Sequence, residues 1–370
     1  MLSWININLD AVKHNIGVIR KSLEPETKII AVVKANAYGH GLVEVARAAW
    51  LGGAEMLAVR DVDEAVSLRI AKIKAPILVM GYVQHSDYHR LVENNLQVSL
   101  FNKEDIAELA QVANEAHTPI RIHVKVDTGL NRLGIATNEL ADFVSAINKE
   151  HYLTVEAIYS HFADCSNYEY SIEQIKNMQG ALFSLQQTGA VELPQVHMAR
   201  SEAIAKYSGS IFDMVRPGLA IYGLGDTFEG LVPVLSWKTK IIQIKKVPAG
   251  NYVGYGLTYK TDRITTVGVL PIGYADGYPR SLSNKGYALL DGKRIKVIGN
   301  ISMCMAMVDV TGTGAKLGDD VTLIGSDMGD MISADEVSGW AGTTPYEIVS
   351  RISPNIYRHY YENKVEELEV

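Results

Sequence analysis

From Lys28 to Gly223, short apolar runs alternate with stretches in which apolar residues recur every third or fourth position. The runs are Ile29–Val33, Met56–Val59, Ile77–Met80, Gln97–Leu100, Ile120–Val126, Val155–Ser160, Gln195–Met198 and Met214–Tyr222. Between them, Ile106, Leu109, Ala110 and Ala113, and again Leu140, Phe143, Val144 and Ile147, have the spacing of a helix with one face on a core. Asp61/Glu64 and Ser171/Gln174 read as capping boxes that start helices, each pair satisfying free backbone N–H groups. Parallel strands need crossover helices, and this many strand–helix units in about 200 residues predict a (β/α)8 barrel of TIM type. An open doubly wound sheet is the alternative that the pattern leaves.

After Gly225 the period changes. Alternating runs at Trp237–Val247, Ile264–Pro271, Lys293–Val310 and Val321–Ile324, punctuated by Pro-Ala-Gly, Asp-Gly and Thr-Gly turns, predict a mostly antiparallel β domain with one helix near Ser333–Trp340. The first residues, Trp4–Leu9, also alternate and are assigned to this second domain. The expected division is a barrel over 10–225 and a β domain over 226–370, joined by the strand in 1–9.

Composition narrows the class. A chain of 370 residues, 47% hydrophobic, can bury its core without disulfides or metals. The net charge of −7, with no basic run and an acidic lean over Glu362–Val370, argues against a nucleic-acid partner. Cys165 and Cys304 are too few for a disulfide framework. The chain opens without a signal-peptide pattern and has no apolar run of membrane-spanning length, so a cytoplasmic protein with no membrane partner is expected. No metal site is expected either. The run Met303–Met307 alternates like a strand and is assigned to core packing.

Barrel active sites gather at the C-terminal ends of the strands. Lys34 directly follows the first run, where partial desolvation lowers an amine's pKa and suits it to Schiff-base chemistry. A lysine that snorkels to solvent is the bland alternative. At the end of the fifth, Lys125-Val-Asp-Thr-Gly-Leu-Asn-Arg132 offers a rigid cationic fork for a carboxylate or phenolate. Ser201 opens a helix after the seventh run, and Gly218 and Leu219 lie in the eighth; the loops after these two strands are the common barrel phosphate site, and Arg216 stands just before them.

The segment Lys34-Ala-Asn-Ala-Tyr38-Gly-His40-Gly41, ahead of a helix, resembles the pyridoxal-phosphate signature of alanine racemases. The resemblance extends over essentially the whole chain. It implies pyridoxal 5′-phosphate as cofactor on Lys34, with Tyr38, Ser201, Gly218, Leu219 and Tyr346 at its phosphate, His161 beside its ring and Arg216 facing its ring nitrogen. It implies Arg132, Met303 and the entrance residue Tyr274 on the substrate, and a carbamylated Lys125 holding Arg132; an ordinary lysine paired with Asp127 is the alternative. Val253-Gly-Tyr255-Gly resembles the segment that carries a second base. Racemisation removes a proton from one face of Cα and returns it to the other, so Lys34 and Tyr255 would form the opposed pair. The implied enzyme is a homodimer with shared sites that interconverts L- and D-alanine, supplying D-alanine for peptidoglycan. Cys304, Asn300, Arg200 and Glu202 depart from the family pattern, which keeps serine or broader amino-acid racemisation open. A decarboxylase is disfavoured by Arg216, and a non-catalytic cofactor carrier by Tyr255.

Overall fold

A computed structural model describes residues 1–189 and 193–362; all but the first residue of the acidic tail lies outside them. The predicted runs become eight parallel strands: Lys28–Val32, Met56–Val59, Ile77–Val79, Gln97–Leu100, Ile120–Asp127, Leu153–Tyr159, Gln195–Arg200 and Met214–Arg216. Each pairs with its neighbours in chain order. The last pairs with the first and the fourth with the fifth, so the sheet closes into a barrel, and the open-sheet alternative is excluded. These strands are apolar on both faces because crossover helices cover the outside while side chains fill the inside. The eighth strand is shorter than its apolar run, since Leu219–Tyr222 turns into a buried 3₁₀ segment.

Apart from the two-residue strand Ile135–Ala136, which pairs with the end of the fifth barrel strand, the remaining strands form two sheets. The larger runs Lys293–Lys296, Tyr287–Leu290, Asp320–Asp327, Leu235–Lys240, Ser3–Asn8 and Tyr357–Tyr361, antiparallel except for the last pair. The smaller joins Gln243–Val247, Thr265–Leu270 and Ala306–Asp309. The single run expected over Trp237–Val247 is thus two strands in different sheets. Ser333 caps the predicted helix, found at Ala334–Ala341, by accepting from Glu336 N–H at 3.0 Å. No helix among the described residues is long and apolar enough to cross a membrane.

Two local expectations are corrected. The helix Tyr168–Gln186 starts at Asn167, whose side chain accepts from Tyr170 N–H. Ser171 and Gln174 are buried inside it, and Gln174 bonds the backbone of His161 and Ala163 instead of capping. Met303–Met305 is an exposed turn, and the strand begins only at Ala306, so those side chains are not core.

Candidate active site

A cavity of about 440 Å³ opens at the C-terminal ends of the barrel strands. Lys34, Arg60, Lys125, Arg132, Arg200 and Arg216 line it, and among the described residues no carboxylate does. Such a lining suits a multiply anionic ligand.

Lys34 follows the first strand, and the next residues take an unusual path. Ala35, Asn36, Ala37 and Tyr38 all have φ between +51° and +54°. This left-handed turn costs roughly 1–2 kcal/mol per residue, so the surroundings must hold it. Ala37 N–H donates to Val33 O, and Gly39 N–H to Ala35 O. Arg358, from the second module, donates to Gly39 O at 2.8 Å. Gly39 itself has φ +81°, and a side chain there would collide with Val349 O. The turn swings Tyr38 under the cavity, where its ring packs 4.8 Å from Tyr222 and 5.7 Å from Tyr346.

Tyr38, Ser201, Gly218 and Tyr346 share one end of the cavity wall. Ser201 Oγ accepts from Gly218 N–H at 3.0 Å and Ala220 N–H at 3.2 Å, tying the seventh and eighth strand ends together. A methyl group at Gly218 would stand 2.7 Å from Tyr38 Oη, so only glycine leaves this cradle open. Leu219 is buried behind it and does not line the cavity.

Arg216 is buried and lacks an ion-pair partner among the described residues. It donates to Ser160 O at 2.6 Å, Met198 O at 3.2 Å, His161 Nδ1 at 3.3 Å and His197 Nδ1. Burial lowers its pKa to about 10, which leaves it charged at neutral pH. Because a guanidinium only donates, it fixes the tautomers behind it. His197 Nε2–H must donate to His123 Nδ1 at 2.8 Å, and His123 Nε2–H to Gln97 Oε1 at 2.6 Å. Likewise His161, accepting at Nδ1, keeps its proton on Nε2. Both chain imidazoles are held neutral by burial, reinforced by Arg216.

Lys125 projects into the barrel with its ammonium 4.2 Å from the Tyr159 ring centre. Burial, then Arg216 and Arg132, pull its pKa down to about 7. It makes no ion pair with Asp127, whose carboxylate instead accepts from Gly129 and Asn131 N–H in the turn leading to Arg132. Arg132 is exposed at the cavity rim. Lys34 is also depressed, first by burial and then by Arg132 and Arg216, against the opposing charge of Glu64. Arg200 pairs with Glu202 and donates to Cys165 Sγ at 3.2 Å.

Tyr255, Tyr274 and Met303 are not brought to this cavity within the chain. They lie together with Arg280 and Cys304 around a separate surface hollow of about 560 Å³, and Tyr255 is 75% exposed. Asn300 braces Tyr255 by donating to its carbonyl at 2.9 Å. Sequence reasoning missed Tyr159, His123, His197 and Gln97. The alternation of His123 with Lys125 on one inward strand face was the available signal for the first histidine.

The residues present fit a pyridine ring bearing a phosphate: an amine at the mouth, hydroxyls and a glycine cradle at one end, and a fixed guanidinium below. The family model for the alanine racemase N-terminal domain matches residues 7–226, and that for the C-terminal domain matches 234–360. The chain is 39% identical to an alanine racemase of Desulforamulus reducens, over 96% of this chain and 98% of that one. Among solved structures it superposes on alanine racemase of Bacillus anthracis with bound L-Ala-P (TM-score 0.91, 34% identity, 98% and 96% of the two chains). It also superposes on that of Bartonella henselae with covalently bound pyridoxal phosphate (TM-score 0.87, 28% identity, 98% and 100%). With both modules matched and the relatives covered nearly end to end, the chain belongs to the alanine racemase family, whose cofactor is pyridoxal 5′-phosphate.

Proposed function

We propose that the protein interconverts L- and D-alanine with Lys34 and Tyr255 as bases on opposite faces of Cα. The observation that carries this reading is the cavity lining, in which cations surround a desolvated Lys34 and no carboxylate intrudes. Tyr38, Ser201, Gly218, Leu219 and Tyr346 would hold the cofactor's phosphate, His161 would flank its ring, and Arg216 would face its ring nitrogen. When bound, the cofactor supplies the electron withdrawal that makes the Cα proton of an amino acid acidic. Arg216, committed as a donor and retaining its charge, offers that nitrogen no proton to take, which favours reprotonation at Cα over side reactions. Arg132 and the backbone N–H of Met303 of the partner subunit would hold the substrate carboxylate. Lys125, close to neutrality, is a nucleophile for carbon dioxide, and as a carbamate it would become an anion beside Arg132 and Arg216.

Lys34 takes the proton on one face; the phenol of Tyr255 delivers one to the other. Tyr255, Tyr274 and Met303 are exposed together, away from their own cavity, which supports a homodimer in which Tyr255 of the partner subunit completes each site. We also take 10–225 and 226–370, with 1–9, as the two domains, and place the enzyme in the cytoplasm as a source of D-alanine for peptidoglycan. A second reading, racemisation of serine or a wider range, is favoured by Arg200 on the cavity wall, paired behind it with Glu202, and by Cys304 and Asn300 beside Tyr255. Purified protein with pyridoxal phosphate should convert L-alanine to D-alanine faster than it converts other members of an L-amino-acid panel. No turnover of any of them would refute the proposal.

A further inference from the structure

Glu64 was expected to close a capping box with Asp61, and Asp61 does cap the helix Val62–Ile70 by accepting from Glu64 N–H at 3.0 Å. The Glu64 carboxylate does not return to Asp61. Its Oε1 accepts from Asn36 N–H at 2.9 Å, inside the left-handed turn after Lys34, and its Oε2 accepts from Arg60 N–H at 2.9 Å, just past the second strand. Asn36 extends the tie, its Oδ1 accepting from Leu42 N–H at 2.9 Å at the start of the next helix. Among the described residues, Glu64 is the side chain that bonds a backbone amide of Ala35–Tyr38. The carboxylate lies in the first turn of its own helix, where negative charge is favoured.

We propose that Glu64 is a positioning residue for Lys34, its carboxylate bridging the first and second strand ends so that the left-handed turn aims the amine into the cavity. The inference rests on reading Lys34 as the lysine that takes the cofactor. The charged groups acting on Lys34 are the guanidiniums of Arg132 and Arg216, the Lys125 amine and, opposing them, Glu64. Tyr38, Arg60, Tyr159, His161, Arg200 and Tyr346 are the other titratable or charged side chains that line the cavity with it. Glu64 thus acts on Lys34 both through the turn and as the opposing negative charge.

The two effects separate experimentally in the full chain stripped of cofactor. Glu64→Ala removes both bonds. Glu64→Gln is nearly isosteric, keeps one acceptor and turns an NH2 toward the other amide, so it serves where the alanine variant folds poorly. Competitive labelling of Lys34 with acetic anhydride, read by mass spectrometry across pH, gives the amine's titration midpoint. Losing the negative charge should lower that midpoint by on the order of half a unit. At high pH, where the amine is neutral in every variant, the rate at which added pyridoxal phosphate condenses with Lys34 should fall about tenfold, because the turn no longer aims it. Unchanged midpoints and condensation rates, with only a lower melting temperature, would reduce Glu64 to a purely structural residue and overturn the proposal. Wild-type chain that does not condense with pyridoxal phosphate at Lys34 would overturn both this inference and the reading it rests on.

Discussion

Acidification from about pH 7.5 to about pH 5.5 should destabilise the folded chain through its buried imidazoles. His40, His123 and His197 are fully buried, and burial holds His40 near a pKa of about 4, His123 near about 3 and His197 well below the ordinary value. Unfolded, each would titrate near about 6.5. The folded state therefore binds fewer protons than the unfolded one below that pH. The stability each neutral imidazole contributes is complete above about 6.5 and is lost as pH falls towards its folded pKa. Between the two conditions each histidine gives up about 1.4 kcal/mol, or roughly 4 kcal/mol together, a large fraction of a typical folding free energy. Urea denaturation at the two pH values measures the difference. His123→Gln should remove the share of that one imidazole, about 1.4 kcal/mol, whatever it does to stability at the higher pH. Equal urea midpoints at both pH values would show that these imidazoles are protonated in the fold, and the tautomer chain from Arg216 to Gln97 would then be wrong.

Gly218→Ala places a methyl group against Tyr38 Oη, so affinity for pyridoxal phosphate, followed by fluorescence titration of stripped protein, should weaken at least about tenfold. For Lys125, 13C-labelled bicarbonate should give a carbamate carbon resonance that grows as pH rises through about 7 and is absent in Lys125→Arg. In that variant the KM for L-alanine should rise, since Arg132 loses an anionic brace.

The barrel was legible because its code is repetitive: eight apolar strands with helical stretches between them. Lys34 was legible because strand ends and family motifs coincide there. What escaped has a common physical origin. Periodicity says which face a residue occupies and nothing about the partner it meets. Glu64 and Gln174 both carry sequence signs of helix caps, yet each spends its side chain on a neighbouring loop. Tyr357–Tyr361 was not recognised as a strand because its partner, Ser3–Asn8, lies at the other end of the chain and its residues are mostly half-exposed. The helix that carries Tyr346 is six residues long, too short to display a period. The path of Ala35–Tyr38 is invisible in composition, since alanine gives no hint of a positive φ.

The central claim is that Lys34 of one subunit and Tyr255 of the other act on one substrate. Mixing inactive Lys34→Ala with inactive Tyr255→Phe, followed by subunit exchange, tests it directly. Random pairing of equal amounts makes about half of the dimers mixed, each with one intact site, so L-alanine racemisation should recover to about one quarter of the wild-type rate. A mixture that stays as inactive as its components, although exchange is verified, would contradict the shared two-base site.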